Sequence, residues 1–423
     1  MTVIGSIDPE VCGCDSQDIL AGLLSYSDAV GRLMSLEIFP AGVETLSLDR
    51  AVGRVLAESV LAATMLPPFD NSAMDGYAIR HADLIGPGPW LLRLAGRAAA
   101  GATETIKMPP GGAVRVLTGA RLPVGADTVV MQEAIQLSGK SVALRHLPKP
   151  GANIRVAGGE QAKGAVVLHA GRQMGARQVA LAASAGAAAV TVHRKVRVII
   201  LTTGNELCSP GAVLQPGQIC DANGPMLRAE LTRPDAVLVE SIRVGDNHRD
   251  LANHIAWASE HADLVITTGG ASVGDEDHLA TALNALGANT VFHGVAIKPG
   301  KPVTLAQLHG TPVIGLPGNP VAAYVTWALL GRPLLNRLAG LSHPLPPRRL
   351  AVAGSDFHHK PGRCEFRPAQ VSGLDQTGRE VVDAGETTHS ARLSILEQCD
   401  GLILIPAESE YIRRGDLLEF LPL

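Results

Sequence analysis

Carboxylates set beside glycine-rich strand ends are the groups of this chain best placed to do chemistry. The clearest case is Asp263-Leu-Val-Ile-Thr-Thr-Gly-Gly-Ala-Ser-Val-Gly-Asp-Glu-Asp277. Its apolar run, Leu264 to Ile266, reads as a buried strand. Thr267, Thr268, Gly269 and Gly270 end that strand in a loop where backbone amides stand bare and a ligand approaches closely. Asp275, Glu276 and Asp277 follow, just ahead of Leu279, Leu283 and Leu286 at helical spacing. Alone, the stretch reads equally well as a glycine-rich turn with a solvated helix start.

Two further stretches share this arrangement. Val196 to Leu201 is an apolar strand ending in Thr202-Thr-Gly-Asn-Glu206. Thr311 to Leu316 is another, ending in Pro317-Gly-Asn-Pro320 ahead of a helix over Val321 to Leu330. In a parallel sheet all three loops fall on the carboxyl edge, where doubly wound folds bind ligands. Two of the loops deliver carboxylates, Glu206 and Asp277. Ile297-Lys-Pro-Gly-Lys-Pro302 puts Lys298 and Lys301 around a tight turn before a strand. A charged β-turn has that pattern, and so does a site that attracts an oxyanion. Upstream, Leu66-Pro-Pro-Phe-Asp-Asn-Ser-Ala-Met-Asp-Gly-Tyr-Ala78 is stiffened by its prolines. It carries Asp70, Asn71, Ser72 and Asp75, more polar functionality than a linker needs.

The elements that must position these groups follow from periodicity. Residues 194–340 alternate strand and helix, with a helix over Pro225 to Leu231 and a strand over Val237 to Ile242. Leu251, Ile255 and Ala258 mark one more helix, and the whole predicts a doubly wound α/β domain. Residues 63–165 read as β-rich, with short runs such as Ala113 to Leu117 and Thr128 to Met131 between Pro and Gly turns. Ser27 to Leu36 and Thr45 to Ser59 read as helices, and residues 166–192 as a helical return. Residues 24–62 and 166–193 therefore predict a discontinuous helical linker domain that holds the β-rich piece as an insertion. His343-Pro-Leu-Pro-Pro347 reads as a linker, and residues 347–423 as a small β-barrel-like domain. Residues 1–23 read as a flexible tail. The expected fold class is multidomain α/β.

Composition narrows the partners. Hydrophobic residues make up 46% of the chain and aromatics only 3%, so Ala, Val, Leu and Gly fill the core. A net charge of -4 with no Lys/Arg run gives no footprint for nucleic acid. The cysteines are scattered, and Cys12-Gly-Cys14 has neither the spacing nor the second pair of a zinc knuckle. A reduced, cytoplasmic protein is expected. The N-terminus has acids and no basic region, so it does not read as a signal peptide. Val179 to Val192 is too short to span a bilayer. The common nucleotide-loop, dinucleotide and zinc-protease motifs are absent. His248, His254 and His261 read as polar surface, and His358-His359 as a solvated hairpin pair.

The order of the motifs is more specific than any one of them. Thr-Gly-Asn-Glu206, Gly-Asp246, Thr-Gly-Gly270, Lys298-Pro-Gly-Lys-Pro302 and Pro317-Gly-Asn-Pro320 follow Asp70-Asn-Ser-Ala-Met-Asp-Gly-Tyr77. That series closely resembles the MoeA / gephyrin E-domain family, the molybdopterin molybdenumtransferases, and the resemblance starts near residue 24. It implies a four-domain, elongated homodimer that inserts molybdenum from molybdate into adenylylated molybdopterin with release of AMP. It also implies a cleft shared between the α/β domain of one subunit and the inserted domain of the other. Motif by motif, Asp75, Thr118, Glu206, Asp246, Asp277, Lys298 and Lys301 stand at catalytic positions. Asn71, Ser72, Gly269, Gly270, Ser272, Pro317, Gly318, Asn319 and Pro320 stand at ligand-binding positions. On this reading Glu206 and Asp277 hold Mg²⁺ against the pyrophosphate, and Lys298 and Lys301 attract molybdate. Protein partners implied are the molybdopterin adenylyltransferase and molybdoenzyme chaperones.

The chain departs from the family pattern at Gln161, Gly294 and Pro368, where an acid, a basic residue and an arginine are usual. Two rivals stay open. One is a molybdopterin adenylyltransferase, which shares the α/β domain but shows Arg-Asp downstream of Gly-Gly. The other is a non-catalytic scaffold that binds a partner peptide.

Overall fold

Strands that are apolar at every position, rather than at every second one, must be covered on both faces. The computed structural model describes residues 23–270, 278–385 and 392–423, and in it these runs form the centre of a six-stranded sheet. Its order is Ala236–Val244, Val196–Thr203, Leu264–Thr268, Thr311–Leu316, Thr304–Leu308, Asn289–His293. The first four strands are mutually parallel. The last two add antiparallel. Along Val196–Thr203, Val198 and Ile200 point into one core, while Ile199 and Leu201 point into another. Leu227, Val321 and Val325 cover the first face from helices Asn223–Glu230 and Pro320–Thr326. Leu251, Ile255 and Leu283 cover the second from His248–His261 and His278–Ala285. The expected doubly wound α/β unit is therefore present.

The first core does not stop at the sheet. It takes in Tyr26 and Leu33 of helix Tyr26–Ser35, and Phe366, Leu402 and Leu421 of the C-terminal strands. Tyr26 meets Phe366 edge-on, with ring centroids 4.9 Å apart. Glu230 braces the same region, accepting from Trp327 Nε1 at 2.9 Å and Arg332 Nη2 at 2.8 Å.

The C-terminal strands close on themselves. Cys364–Leu374 pairs with both Glu380–Ala384 and Gly401–Ile405, which completes a small barrel through Arg349–Ala353 and Leu417–Pro422. Closure removes the exposed sheet edge. A two-residue strand from the α/β region, Ile297–Lys298, then docks in parallel on Cys364–Leu374.

A third six-stranded sheet, formed by strands between residues 76 and 144 with Thr128–Met131 and Ile135–Ser138 at its edges, is packed on both sides. Gly76 has no room for a side chain, because a Cβ there would overlap the Val130 carbonyl of the neighbouring strand. The chain enters and leaves this region through one antiparallel pair, Val60–Leu61 with Val166–Leu168.

Some elements differ from the sequence reading. The helix expected over Thr45 to Ser59 is a strand, Val43–Ser47, followed by a short 3₁₀ turn, Leu48–Ala51. The expected helical return over 166–192 keeps only Ala176–Ser184 as helix, between strands Val166–Leu168 and Ala189–His193. The reason is tertiary: Val43–Ser47 pairs with Ala189–His193, residues too distant in sequence for local propensity to anticipate. The helix expected to end at Leu330 continues through a π turn, Trp327–Gly331, to Leu338. No helix among the described residues is long and apolar enough to cross a membrane.

Substituting Gly76→Ala is expected to destabilise the protein by about 1–3 kcal/mol, the usual cost of overpacking. Thermal denaturation measures it, and an unchanged melting temperature would show that the sheet absorbs the methyl group.

Candidate active site

Four parallel strands end their backbone pairing at one edge, so the residues that follow them meet there. They line a cleft of ≈ 790 Å³ that holds Glu206, Asp246, Gly269, Gly270, Gly318, Asn319 and Pro320 together. The loops are tied to one another rather than merely adjacent. Asn205 donates its backbone N–H to Asp246 Oδ2 at 2.8 Å, and Asp246 returns its own N–H to Asn205 Oδ1 at 3.2 Å. Asn223 Nδ2 donates to Thr268 Oγ1 and to the Gly318 carbonyl, each at 2.8 Å. Thr268 Oγ1 donates onward to the Pro317 carbonyl at 3.1 Å. Gly269 sits at φ 86, and a Cβ there would overlap the Thr203 carbonyl, so only glycine lets this loop turn back on its neighbour.

A second cleft of ≈ 300 Å³ opens beside the first and shares Gly318 and Asn319 with it. Lys298, Lys301 and Pro317 line it, together with Arg363 from the barrel. Its lining holds three cationic side chains and no carboxylate, whereas Glu206, Asp221 and Asp246 face the larger cleft. The two spaces therefore carry opposite charge. A cationic recess with low-dielectric walls concentrates small anions.

Asp75, Thr118, Asn71 and Ser72 lie together elsewhere, in the inserted region, where Asn71–Ser72 pairs with Ile154–Arg155 and Asp75 and Thr118 flank neighbouring strands of the sheet. Asp75 Oδ1 accepts from the Thr118 backbone N–H at 2.7 Å and from its hydroxyl at 2.8 Å. Those donors hold the Asp75 carboxyl below its ordinary pKa. Ser72 is buried and donates its hydroxyl to the Met74 carbonyl at 2.5 Å. Asn71 is buried and donates to the Phe69 carbonyl at 3.1 Å. None of the four lines either cleft within the described chain. Ser272 and Asp277 lie outside the described residues.

Sequence reasoning passed over Arg363 and Asn223. Arg363 belongs to a block far along the chain, and only the docking of Ile297–Lys298 on the barrel brings it to the lysines. Asn223 reads in sequence as a loop residue before a helix, a pattern shared by any ordinary helix start. The His358-His359 pair is half corrected. His358 is exposed and packs on Tyr411, but His359 is 5% exposed, with Nδ1 2.6 Å from the Ser409 carbonyl. Successive strand residues face opposite sides, so one of the pair had to point inward.

A mixed α/β sheet whose strand ends line a carboxylate-bearing cleft joined to a cationic one defines a protein that binds small ligands at that edge. The comparisons with known proteins agree with that class. Residues 24–186 match the family described as "MoeA N-terminal region (domain I and II)". Residues 199–337 match "Probable molybdopterin binding domain", and residues 351–423 match "MoeA C-terminal region (domain IV)". A molybdopterin molybdenumtransferase of Haemophilus influenzae is 35% identical over 403 residues, 95% of this chain and 98% of that protein. Molybdopterin molybdenumtransferase 2 of Mycobacterium tuberculosis is 36% identical over 383 residues, 89% of this chain and 94% of that protein. The crystal structure of the molybdopterin biosynthesis MoeA protein from Pyrococcus horikoshii superposes with a TM-score of 0.80 at 28% identity. It covers 95% of this chain and 100% of that one. The chain belongs to the MoeA family, the molybdopterin molybdenumtransferases.

Because the folded Asp75 pKa is lowered, the stability it contributes is present above the ordinary carboxylate range and is lost as pH falls through the lowered value. Thr118→Val removes the hydroxyl donor and keeps the backbone one. The Asp75 pKa should then rise toward its ordinary value in an NMR titration. An unmoved titration would mean that the backbone donor alone holds it.

Proposed function

We propose that the chain inserts molybdenum from molybdate into adenylylated molybdopterin and releases AMP. The observation that carries this reading is the junction at Gly318 and Asn319 between a carboxylate-lined cleft and a cationic recess free of carboxylates. The pterin nucleotide and the oxyanion are both anions that must lie close enough to react. The carboxylates of the larger cleft therefore face the nucleotide through a bound cation, while the cationic recess takes the oxyanion. Family membership supports the same reading. The Gly269-Gly270 turn receives the pyrophosphate on bare backbone amides. Lys298, Lys301 and Arg363 draw in the oxyanion as substrate and orient its oxygens. Asp246 and Asn205 keep the two loops beneath the nucleotide in register.

A divalent metal fits the oxygen donors of the larger cleft, with Glu206 on its lining and Asp277 following by sequence position. Among the described residues no three acidic, histidine or cysteine side chains converge as a cage. Mg²⁺ takes its oxygen ligands from one or two carboxylates together with phosphate and water. When bound, it neutralises charge on the phosphate being cleaved.

The reading assigns the active site to two subunits. Asp75 and Thr118, absent from both clefts within one chain, complete the site of the partner in a homodimer. It divides the chain into a linker domain of residues 24–62 and 166–193, an inserted domain of 63–165, an α/β domain of 194–340 and a C-terminal domain of 347–423. It makes the protein a cytoplasmic enzyme, fed by the molybdopterin adenylyltransferase and serving molybdoenzyme chaperones.

Purified protein given adenylylated molybdopterin, molybdate and Mg²⁺ should release AMP and yield cofactor that activates an apo molybdoenzyme. No AMP release would sink the reading. The shared site has its own check. Asp75→Asn and Asp277→Asn should each be nearly inactive alone, and a mixture should regain part of the activity through hybrid dimers. A monomer by sedimentation, or no recovery after proven subunit exchange, would count against it.

A further inference from the structure

Lys298 is not held by its own loop. Its strand, Ile297–Lys298, pairs in parallel with the start of Cys364–Leu374, and the register sets Lys298 opposite Glu365. Glu365 is 0% exposed, and its Oε2 lies 3.3 Å from Lys298 Nζ. A carboxylate so deeply buried requires compensation. Arg367 supplies it as a fork, with Nε donating to Oε1 at 3.0 Å and Nη2 to Oε2 at 3.1 Å. His359 Nε2 stands 3.6 Å from the same Oε2.

Arg367 is itself fixed on every side. It donates to the Gly385 carbonyl at 3.1 Å and the His358 carbonyl at 3.3 Å, and lies over the Phe357 ring at 4.7 Å. Glu365 and Arg367 are two apart on one strand and so share a face, which points Arg367 inward rather than at the oxyanion recess. Arg367 is 2% exposed and is absent from the lining of the recess.

The charge arithmetic decides what this cluster does. If Lys298 were the sole counter-ion of Glu365, its charge would be cancelled where an anion must bind. Arg367 already balances the carboxylate. One carboxylate against two cations leaves the cluster net positive, and Lys298 is still aimed. Its side chain is 34% exposed and faces the recess shared with Lys301 and Arg363.

We propose that Glu365, neutralised by Arg367, is a positioning residue that holds the Lys298 ammonium in place for the oxyanion substrate, so that the barrel core sets oxyanion affinity. The proposal rests on the functional reading above for the identity of the oxyanion. It also assigns Arg367 a different task from a direct anion ligand, although it stands one residue before Pro368.

The test uses full-length protein and molybdate as the probe. Glu365→Gln keeps shape and removes charge. It should weaken molybdate binding in calorimetry and raise the molybdate KM about tenfold, the scale of one charge-assisted hydrogen bond. The KM for adenylylated molybdopterin should stay near wild type. In a Lys298→Ala background, Glu365→Gln should cost no further molybdate affinity. A folded Glu365→Gln protein with wild-type molybdate affinity, or additive losses in the double variant, overturns the proposal. Should Glu365→Gln fail to fold, Glu365→Asp withdraws the carboxylate by one methylene and keeps its charge. The same molybdate-selective loss is expected, and wild-type affinity in that folded variant is equally fatal. If wild-type protein binds molybdate through Lys298 but releases no AMP, the functional reading falls and this proposal stands. If it binds no molybdate, this proposal falls.

Discussion

The two-sided burial of the central strands is the constraint on which the rest depends. Val198, Ile199, Ile200, Leu201, Leu264, Val265 and Ile266 are all fully buried, so no polar side chain is tolerated along these runs. Polar function is pushed to the ends. Because the strands are parallel, every carboxyl end lies at one edge, and the loops there are forced into contact. Thr268 and Asn223 then bridge those loops with buried hydrogen bonds. The site is thus a by-product of hydrophobic covering, finished by a few side-chain bonds worth about 1 kcal/mol each.

Two charge environments meet at this edge, and they come from different parts of the chain. The carboxylates follow directly from the strand ends. The cations depend on the barrel, which contributes Arg363 and receives the Ile297–Lys298 strand. Separation of the two is a matter of architecture: the loop at Gly318 and Asn319 stands between them. The barrel also shares its core with the sheet, through Phe366, Leu402 and Leu421, so it supports both clefts and supplies a cation to the basic one.

Much of this was legible in the sequence, for physical reasons. The unbroken apolar runs identified the inner strands, with Thr311–Leu316 at its observed bounds. Glycine at Gly269 marked a loop that no other residue could form. What escaped was long-range. Thr45 lies in a strand because its partner stands at Thr191, and no local window contains both. His359 read as a solvated residue, and Glu365 drew no reading, because the burial of both depends on how the barrel closes. Arg363 and Asn223 became site residues only once distant segments were docked. Asp75 and Thr118 were read as belonging to the inserted region, but their hydrogen bonds to each other depend on the pairing of Gly76–Ile79 with Gly112–Val116, which no local window shows. Ser272 and Asp277 fall outside the described residues.

The pair formed by Val60–Leu61 and Val166–Leu168 has a topological consequence. It brings together the two ends of the whole excursion from residue 62 to residue 165. The closure entropy of that excursion is met once, at its neck, and rises only as the logarithm of the length enclosed. Lengthening or trimming the excursion therefore changes the stability of the remaining chain very little. Changes of length within the excursion are therefore separable from the stability of the sheet edge and the barrel. The neck thus lets this region be carried as one unit on an otherwise continuous frame.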